Sequence, residues 1–147
     1  MKKLQLKFLA AFFLLTGIGS YAQESIITKA ELPNMAQKFV SEHFSKTTVD
    51  YIKKDKETFS TDYKIKFSDG REIEFDSDGN WTEVDGNRTV IPTAFISKNI
   101  LNHVKQKFPN THIVKIEKGR FGKQDVKLSN GLELEFNAQG EFKRIDD

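Results

Sequence analysis

Between positions 63 and 75 the chain alternates apolar with charged residues. Tyr63, Ile65 and Phe67 are separated by Lys64 and Lys66, and Ile73 and Phe75 are flanked by Glu72 and Glu74. Period two is the mark of strands with one buried face, and the pattern also selects their register. A two-residue turn at Asp69-Gly70 would set Phe67 against Glu72 and mix the faces. A three-residue loop, Ser68-Asp69-Gly70, with Gly70 in the left-handed bulge position, pairs Lys66 with Glu72, Ile65 with Ile73, Lys64 with Glu74 and Tyr63 with Phe75. Only this register separates apolar from charged side chains. The stretch from Tyr63 to Trp81 recurs 61 residues later, from Gln124 to Phe142, with Gly70, Phe75 and Gly79 matched by Gly131, Phe136 and Gly140. There the same loop, Ser129-Asn130-Gly131, pairs Lys127 with Glu133, Val126 with Leu134 and Asp125 with Glu135.

Turns at Ser77-Asp78-Gly79 and Ala138-Gln139-Gly140 lead into further strands over 81–84 and 142–145, and earlier strands are expected over 48–53 and 112–117. Val49 and Ile52, like Ile113 and Ile116, stand three apart, so alternation assigns no face to these earlier strands. Upstream, the apolar spacing becomes helical. A helix is predicted from Pro33, where a missing N–H is harmless, with Leu32, Met35, Ala36, Phe39, Val40 and Phe44 as one stripe. A second is predicted from Pro92, with Ile96, Ile100, Leu101, Val104 and Phe108 as its stripe. The expected fold is α+β: two tandem units, each a helix plus four antiparallel strands, over 23–86 and 87–147. The helices pack on one face of a shared or continuous sheet and leave the other face open.

The Leu/Ile-Pro helix followed by the Tyr63 to Trp81 pattern resembles the PepSY-like family of small exported bacterial proteins, whose fold is similar to that of β-lactamase inhibitor proteins. The resemblance covers nearly all of the chain after residue 22. It implies tandem helix-plus-four-strand repeats with an open sheet face and a binding or inhibitory module of unknown target. It implies neither β-lactamase inhibition nor any catalytic residue.

Charge changes the picture at the N-terminus. Residues 1–22 carry three lysines, no acid and an apolar run ending in Ser20-Tyr21-Ala22, the layout of a secretory signal peptide cleaved after Ala22. The run is too short and glycine-rich for a retained anchor, and without cysteine there is no lipid attachment site. A periplasmic or secreted protein with no membrane insertion after cleavage is expected. Positions 23–147 hold 20 basic and 21 acidic side chains, a net charge of −1, divided as −5 over 23–86 and +4 over 87–147. That balance in an exported chain argues against nucleic acid as partner.

Candidate chemistry is sparse. Absence of cysteine removes disulfides, thiolate metal sites and a thiol nucleophile. His43, His103 and His112 have no metal-ligand spacing, and no serine stands in a nucleophile context. The reading is non-enzymatic, with no cofactor and no assigned metal. Asp76-Ser77-Asp78-Gly79-Asn80 has the start of a calcium loop but lacks its distal glutamate, and ordinary turn chemistry explains it. Trp81 and Phe142 are expected to pack against Phe75 and Phe136, and Phe59 and Phe121 to be exposed.

The remaining candidates are the charged face and hairpin tips: Lys64, Lys66, Glu72, Glu74 and Asp69 in the first half, and Asp125, Lys127, Asn130, Glu133 and Glu135 in the second. One reading is a solvated face with weak ion pairs; the other is a surface that docks an exported or envelope protein. Asp125 opposite Glu135 is a like-charge pair that costs stability unless neutralised. The functional expectation is a protein-binding or inhibitor-like exported module. The alternative is a periplasmic protein that binds a small ligand or a metal ion such as calcium.

Overall fold

The computed structural model describes residues 23–146, so the leader expected over 1–22 lies outside the described residues. Nine strands form one antiparallel sheet in chain order. They are β1 (Gln23–Ile26), β2 (Val49–Lys56), β3 (Thr61–Phe67), β4 (Glu72–Phe75), β5 (Trp81–Asp85), β6 (Ile113–Lys118), β7 (Gln124–Leu128), β8 (Glu133–Phe136) and β9 (Phe142–Asp146). Two α-helices, α1 (Asn34–His43) and α2 (Lys98–Lys107), precede β2 and β6.

This corrects the expectation of two tandem helix-plus-four-strand units. The molecule is mostly sheet, and its hydrogen-bond ladder runs through the expected boundary, because β5 pairs with β6 and sets Val84 opposite Ile116. Both side chains are fully buried. A unit of about 60 residues buries too little surface to be secure alone; here a single apolar cluster runs from Leu32 to Phe136. The extra strand is β1, whose four residues are all exposed. Such a strand has no apolar alternation to reveal it, and it is held by pairing with β2 and by a 2.9 Å Lys53 to Glu24 ion pair.

Within each half the registers agree with the alternation. Tyr63 faces Phe75 and Ile65 faces Ile73, and Val126 faces Leu134 with Asp125 opposite Glu135. The ambiguous earlier strands resolve through bulges. The register of β2 shifts between Val49 and Tyr51, and that of β6 between Ile113 and Lys115. One extra residue resets the side-chain parity, so Val49 and Ile52, or Ile113 and Ile116, reach the same core although three apart.

α1 starts directly after Pro33, as expected, and buries Ala36 and Val40. Met35 leaves the predicted stripe and is 58% exposed. α2 does not start at Pro92. Residues 93–96 form a turn closed by the Ile96 N–H bond to the Thr93 carbonyl at 3.0 Å, and the helix begins after Ser97, whose Oγ accepts from the Ile100 N–H. A serine cap outweighs a proline five residues earlier because it satisfies a helix donor. Each helix start sits on a glycine turn. A Cβ on Gly79, at φ +86°, would lie 2.8 Å from Pro33 Cβ and 2.9 Å from the Ala36 nitrogen, and one on Gly140 would meet Ser97.

Gly131, at φ +91°, has nothing within 4 Å of a built Cβ. Gly131→Ala should therefore cost only the left-handed backbone penalty, about 1–2 kcal/mol. Gly79→Ala adds overpacking against α1 and should cost about 2–5 kcal/mol. Urea unfolding midpoints of the two variants check this; equal losses would show that the contact between turn and helix is not a constraint.

Candidate functional site: the open sheet face

The side chains of the apolar cluster pack together with the helices on one side of the sheet, buried Val114 stands outside that cluster beside Asp85, Lys115 and Lys127, and no charged residue among those described is buried. The charged positions therefore collect on the side opposite the helices. Following the pairing from β2 to β9, one row reads Lys53, Lys64, Glu74, Glu83, Glu117, Asp125, Glu135, Arg144. Five carboxylates stand side by side at the interstrand spacing of about 4.8 Å. Like charges directly opposite one another are destabilising, and four cations offset this. Lys64 approaches Glu74 at 2.6 Å. Lys115 reaches Glu83 at 3.1 Å and Glu117 at 3.9 Å. Lys123 bridges Glu135 at 2.9 Å and Asp125 at 3.2 Å, and Arg144 reaches Glu135 at 2.8 Å. In the next row Lys66 donates to Glu72 at 2.6 Å and Lys127 to Glu133 at 2.7 Å.

Sharing sets the acidities. The Glu72 carboxyl lies below its ordinary value, first because it accepts from Lys66. Glu83 lies above its ordinary value, first because burial removes water from it; the bond to Lys115 opposes this, and the charges of Glu74 and Glu117 add to it. Burial also pulls Lys115 down, yet its bond to Glu83 and the charges of Glu83, Asp85 and Glu117 hold it above the ordinary lysine value. The two directions agree: one lysine serves three acids, so each acid receives only part of its charge.

Of the residues singled out from sequence, Lys64, Lys66, Glu72, Glu74, Asp125, Lys127, Glu133 and Glu135 share this face. Asp69 and Asn130 sit at the hairpin tips, where their carboxylate and amide oxygens accept the Arg71 and Leu132 N–H at 3.1 and 3.2 Å. Glu83, Asp85, Glu117, Arg144 and Asp146 also lie here and were not singled out from sequence, and Lys115 and Lys123, which with Lys118 and Arg120 form the most concentrated basic stretch of the chain, were not assigned to this face. Glu83, Asp85, Lys115 and Glu117 meet through the β5 to β6 pairing, whereas Lys123, Arg144 and Asp146 gather around Glu135 and Asp125 across β7, β8 and β9. On β7, β8 and β9, Asp125, Glu135 and Asp146 offer carboxylate oxygens within 4.8 Å of one another, close enough to share a cation. One oxygen of Asp125 is buried without a hydrogen-bond partner. The turn at Asp76 is different: both carboxylate oxygens accept from Asn80, and one also takes the Asp78 N–H at 3.0 Å, which is turn chemistry.

Phe59 and Phe121 are fully exposed, and Phe121 has a left-handed φ of 58°. Trp81 is half-buried, with Phe95 at 5.3 Å and the Lys118 Nζ 3.8 Å above its ring. Phe142 meets Phe136 edge-on at 5.9 Å and stacks on His103 at 4.4 Å. His43 packs on Phe39 and Phe95, and the backbone of His112 bonds to Ser129, so the three histidines serve separate places.

A wide antiparallel sheet with helices confined to one side defines a class of small open-faced proteins. The family model described as "Putative beta-lactamase-inhibitor-like, PepSY-like" matches residues 19–70 and 61–144, and the chain belongs to this family. Among solved structures, a "putative calcium-regulated periplasmic protein" from Bacteroides thetaiotaomicron is 34% identical, with a TM-score of 0.80 over 84% of this chain and 97% of that one. A "putative periplasmic protein from DUF2874 family" from Bacteroides vulgatus is 33% identical, with a TM-score of 0.80 over 85% and 98%. Another periplasmic protein of unknown function from Bacteroides vulgatus is 36% identical, with a TM-score of 0.78 over 85% and 100%. No curated protein matches the chain. No helix among the described residues is long and apolar enough to cross a membrane.

Neighbouring glutamates should respond to pH with opposite signs. Glu72 has a lowered folded value, so its stabilisation is present above the unfolded carboxylate value and lost as pH falls through the folded one. Glu83 has a raised value, so its charge is a burden at neutral pH that is relieved as pH falls. Glu72→Gln should lower the urea midpoint at neutral pH and Glu83→Gln should raise it, and both differences should fade in acid. A loss of stability in Glu83→Gln at neutral pH would show that its bond to Lys115 outweighs its desolvation.

Proposed function

We propose that the chain is a non-enzymatic, exported, periplasmic binding module that contacts a protein through the open sheet face and the tips at 68–70 and 129–131, in a protein-binding or inhibitor-like role. The observation that carries this reading is the ordered row of five carboxylates and four cations, laid flat across β3 to β9 and left uncovered by any helix. A surface whose charges are already positioned by one another loses little side-chain freedom when a partner covers it, which favours association. Charge complementarity of this kind selects partners and steers encounter. The family description and the periplasmic relatives support the same direction.

The test is photo-crosslinking in cells from probes at Lys66 and Lys127, compared with a probe at Met35 on the helix side. An adduct of defined mass from the face alone is expected, lost when Lys66, Glu74, Lys127 and Glu135 are charge-reversed. No adduct, or one unaffected by reversal, would sink the proposal.

A second reading is favoured by one observation, the convergence of Asp125, Glu135 and Asp146 with the unpaired Asp125 oxygen. Calcium takes six to eight oxygens, and these side chains supply part of that set; the description of the Bacteroides thetaiotaomicron relative as a "putative calcium-regulated periplasmic protein" points the same way. Lys123 and Arg144 hold the same carboxylates, so a metal must displace them. Calorimetric calcium titration should show binding that tightens several-fold in Lys123→Ala and vanishes in Glu135→Gln. Absence of heat in all three proteins would remove this reading.

A further inference from the structure

The two edges of the sheet are unlike. β9 matches β5 at the sequence separation of 61, aligning Val84 with Ile145, and both strands carry an extra residue against the strand before them. The far side of β5 is taken by β6, whereas the far side of β9 is an edge. Burial records the difference: Val84 is 0% exposed, and Ile145 is 43% exposed. The charge of β9 is also unbalanced. Its Asp146 lies directly opposite Glu133, a like-charge pair, and its carboxylate converges on those of Asp125 and Glu135. Among the described residues the one cation in contact with Asp146 is Arg144 of the same strand, at 2.6 Å, and that arginine also holds Glu135 at 2.8 Å. The other edge, β1, has no cation of its own to set against Glu24.

Pairing with a second copy would answer both needs. When two identical strands pair antiparallel about a twofold axis, the residue on the axis fixes every other contact. With Ile145 on the axis, Ile145 meets its counterpart and each Arg144 lies opposite Asp146 of the other copy. Each contact keeps to one side of the sheet. Ile145 stands beside buried Leu134 on the helix side, and Arg144 and Asp146 stand beside Glu135 and Glu133 on the charged side. Neighbouring registers fail. Arg144 on the axis would set arginine against arginine and Ile145 against Lys143, and Asp146 on the axis would set aspartate against aspartate; like charges directly opposite are destabilising. A one-residue slip would turn the charged face of one copy to the helix side of the other. In the favoured register each Arg144 stands between Glu135 of its own chain and Asp146 of the other, so every Asp146 gains a second cation.

We propose that β9 is a self-complementary edge that pairs antiparallel with β9 of a second copy of the chain, centred on Ile145, to give a symmetric dimer. The two sheets then run on as one, with both open faces on the same side. Unpaired edges invite pairing of this kind. A ladder this short buries the modest area of a transient contact, so the dimer is expected to dissociate on dilution. This surface is separate from the protein contact proposed for the open face, and charge reversal at Lys66, Glu74 and Lys127 should leave it intact.

Sedimentation velocity of the intact protein, with a chelator present to keep cations off Asp146, should show a monomer-dimer equilibrium between micromolar and millimolar protein. Asp146→Arg separates folding from pairing. Within a chain it places a cation opposite Glu133, so the urea midpoint should stay close to that of the unaltered protein. Between chains it sets arginine against arginine and should weaken dimerisation at least about tenfold. Adding Arg144→Asp should restore the dimer, because opposite charges again face each other across the axis. The chain has no cysteine, so Ile145→Cys places a single thiol on the axis, where directly opposite side chains come close enough for a disulfide. Mild oxidation should crosslink Ile145→Cys far faster than Ile26→Cys on the β1 edge, a readout that leaves every charge in place. Monomer alone at millimolar protein, a dimer indifferent to Asp146→Arg, no recovery in a folded double variant, equal crosslinking of the two cysteine variants, or open-ended polymers that join β1 to β9 would each overturn the proposal.

Discussion

The contact of Val84 with Ile116 at the β5 to β6 seam is the constraint on which the rest of the structure depends. It turns two stretches too small to bury an adequate core into one sheet with one apolar cluster. The same pairing dictates what happens on the other side of the sheet. Once Val84 faces Ile116, Glu83 must face Glu117 and Asp85 must face Lys115, because side chains alternate across a strand. Core packing therefore assembles the charged face as a by-product, including its least favourable pair.

Lys115 resolves that conflict, and its origin gives the charge asymmetry of the chain a structural meaning. It belongs to the basic half, and it reaches Glu83 and Asp85 of the acidic half as well as Glu117 of its own. The opposite charges of the two halves thus meet at the seam. Elsewhere the same economy holds: Lys123 and Arg144 share Glu135, and Lys64 lies near both Glu72 and Glu74. Exposed ion pairs contribute little individually. A lattice in which Lys64, Lys115 and Lys123 each touch more than one acid is better understood as a device that keeps a row of carboxylates together on a partly exposed face.

The surfaces left free are the places that the core does not use. The helix side is filled by Leu32, Phe67, Phe75, Phe136 and their neighbours. What remains is the flat charged face, the hairpin tips and the two edges, of which β1 is short and polar while β9 keeps Phe142 and Ile145 in solvent.

Local structure was largely legible in the residues. Two glycine loops and two alternating runs specify hairpin registers, since any one-residue slip would carry a lysine into the core. The Pro33 helix was legible for the same local reasons, whereas the Pro92 start was misread because the Ser97 cap, five residues on, competes more effectively for the first turn. The bulges in β2 and β6 left only a broken alternation as their trace. What the sequence by itself determined was each hairpin, each amphipathic face and the unequal charge of the halves, all properties of residues close in the chain. The pairing of β5 with β6, the added β1, the joining of Glu74, Glu83 and Glu117 to the Asp125 and Glu135 pair in one row, and the approach of Asp146 to that pair were decided by the tertiary structure. The β1 to β2 and β5 to β6 pairings join residues about 30 positions apart, and only burial of a common core chooses among the many pairings that local pattern leaves equal.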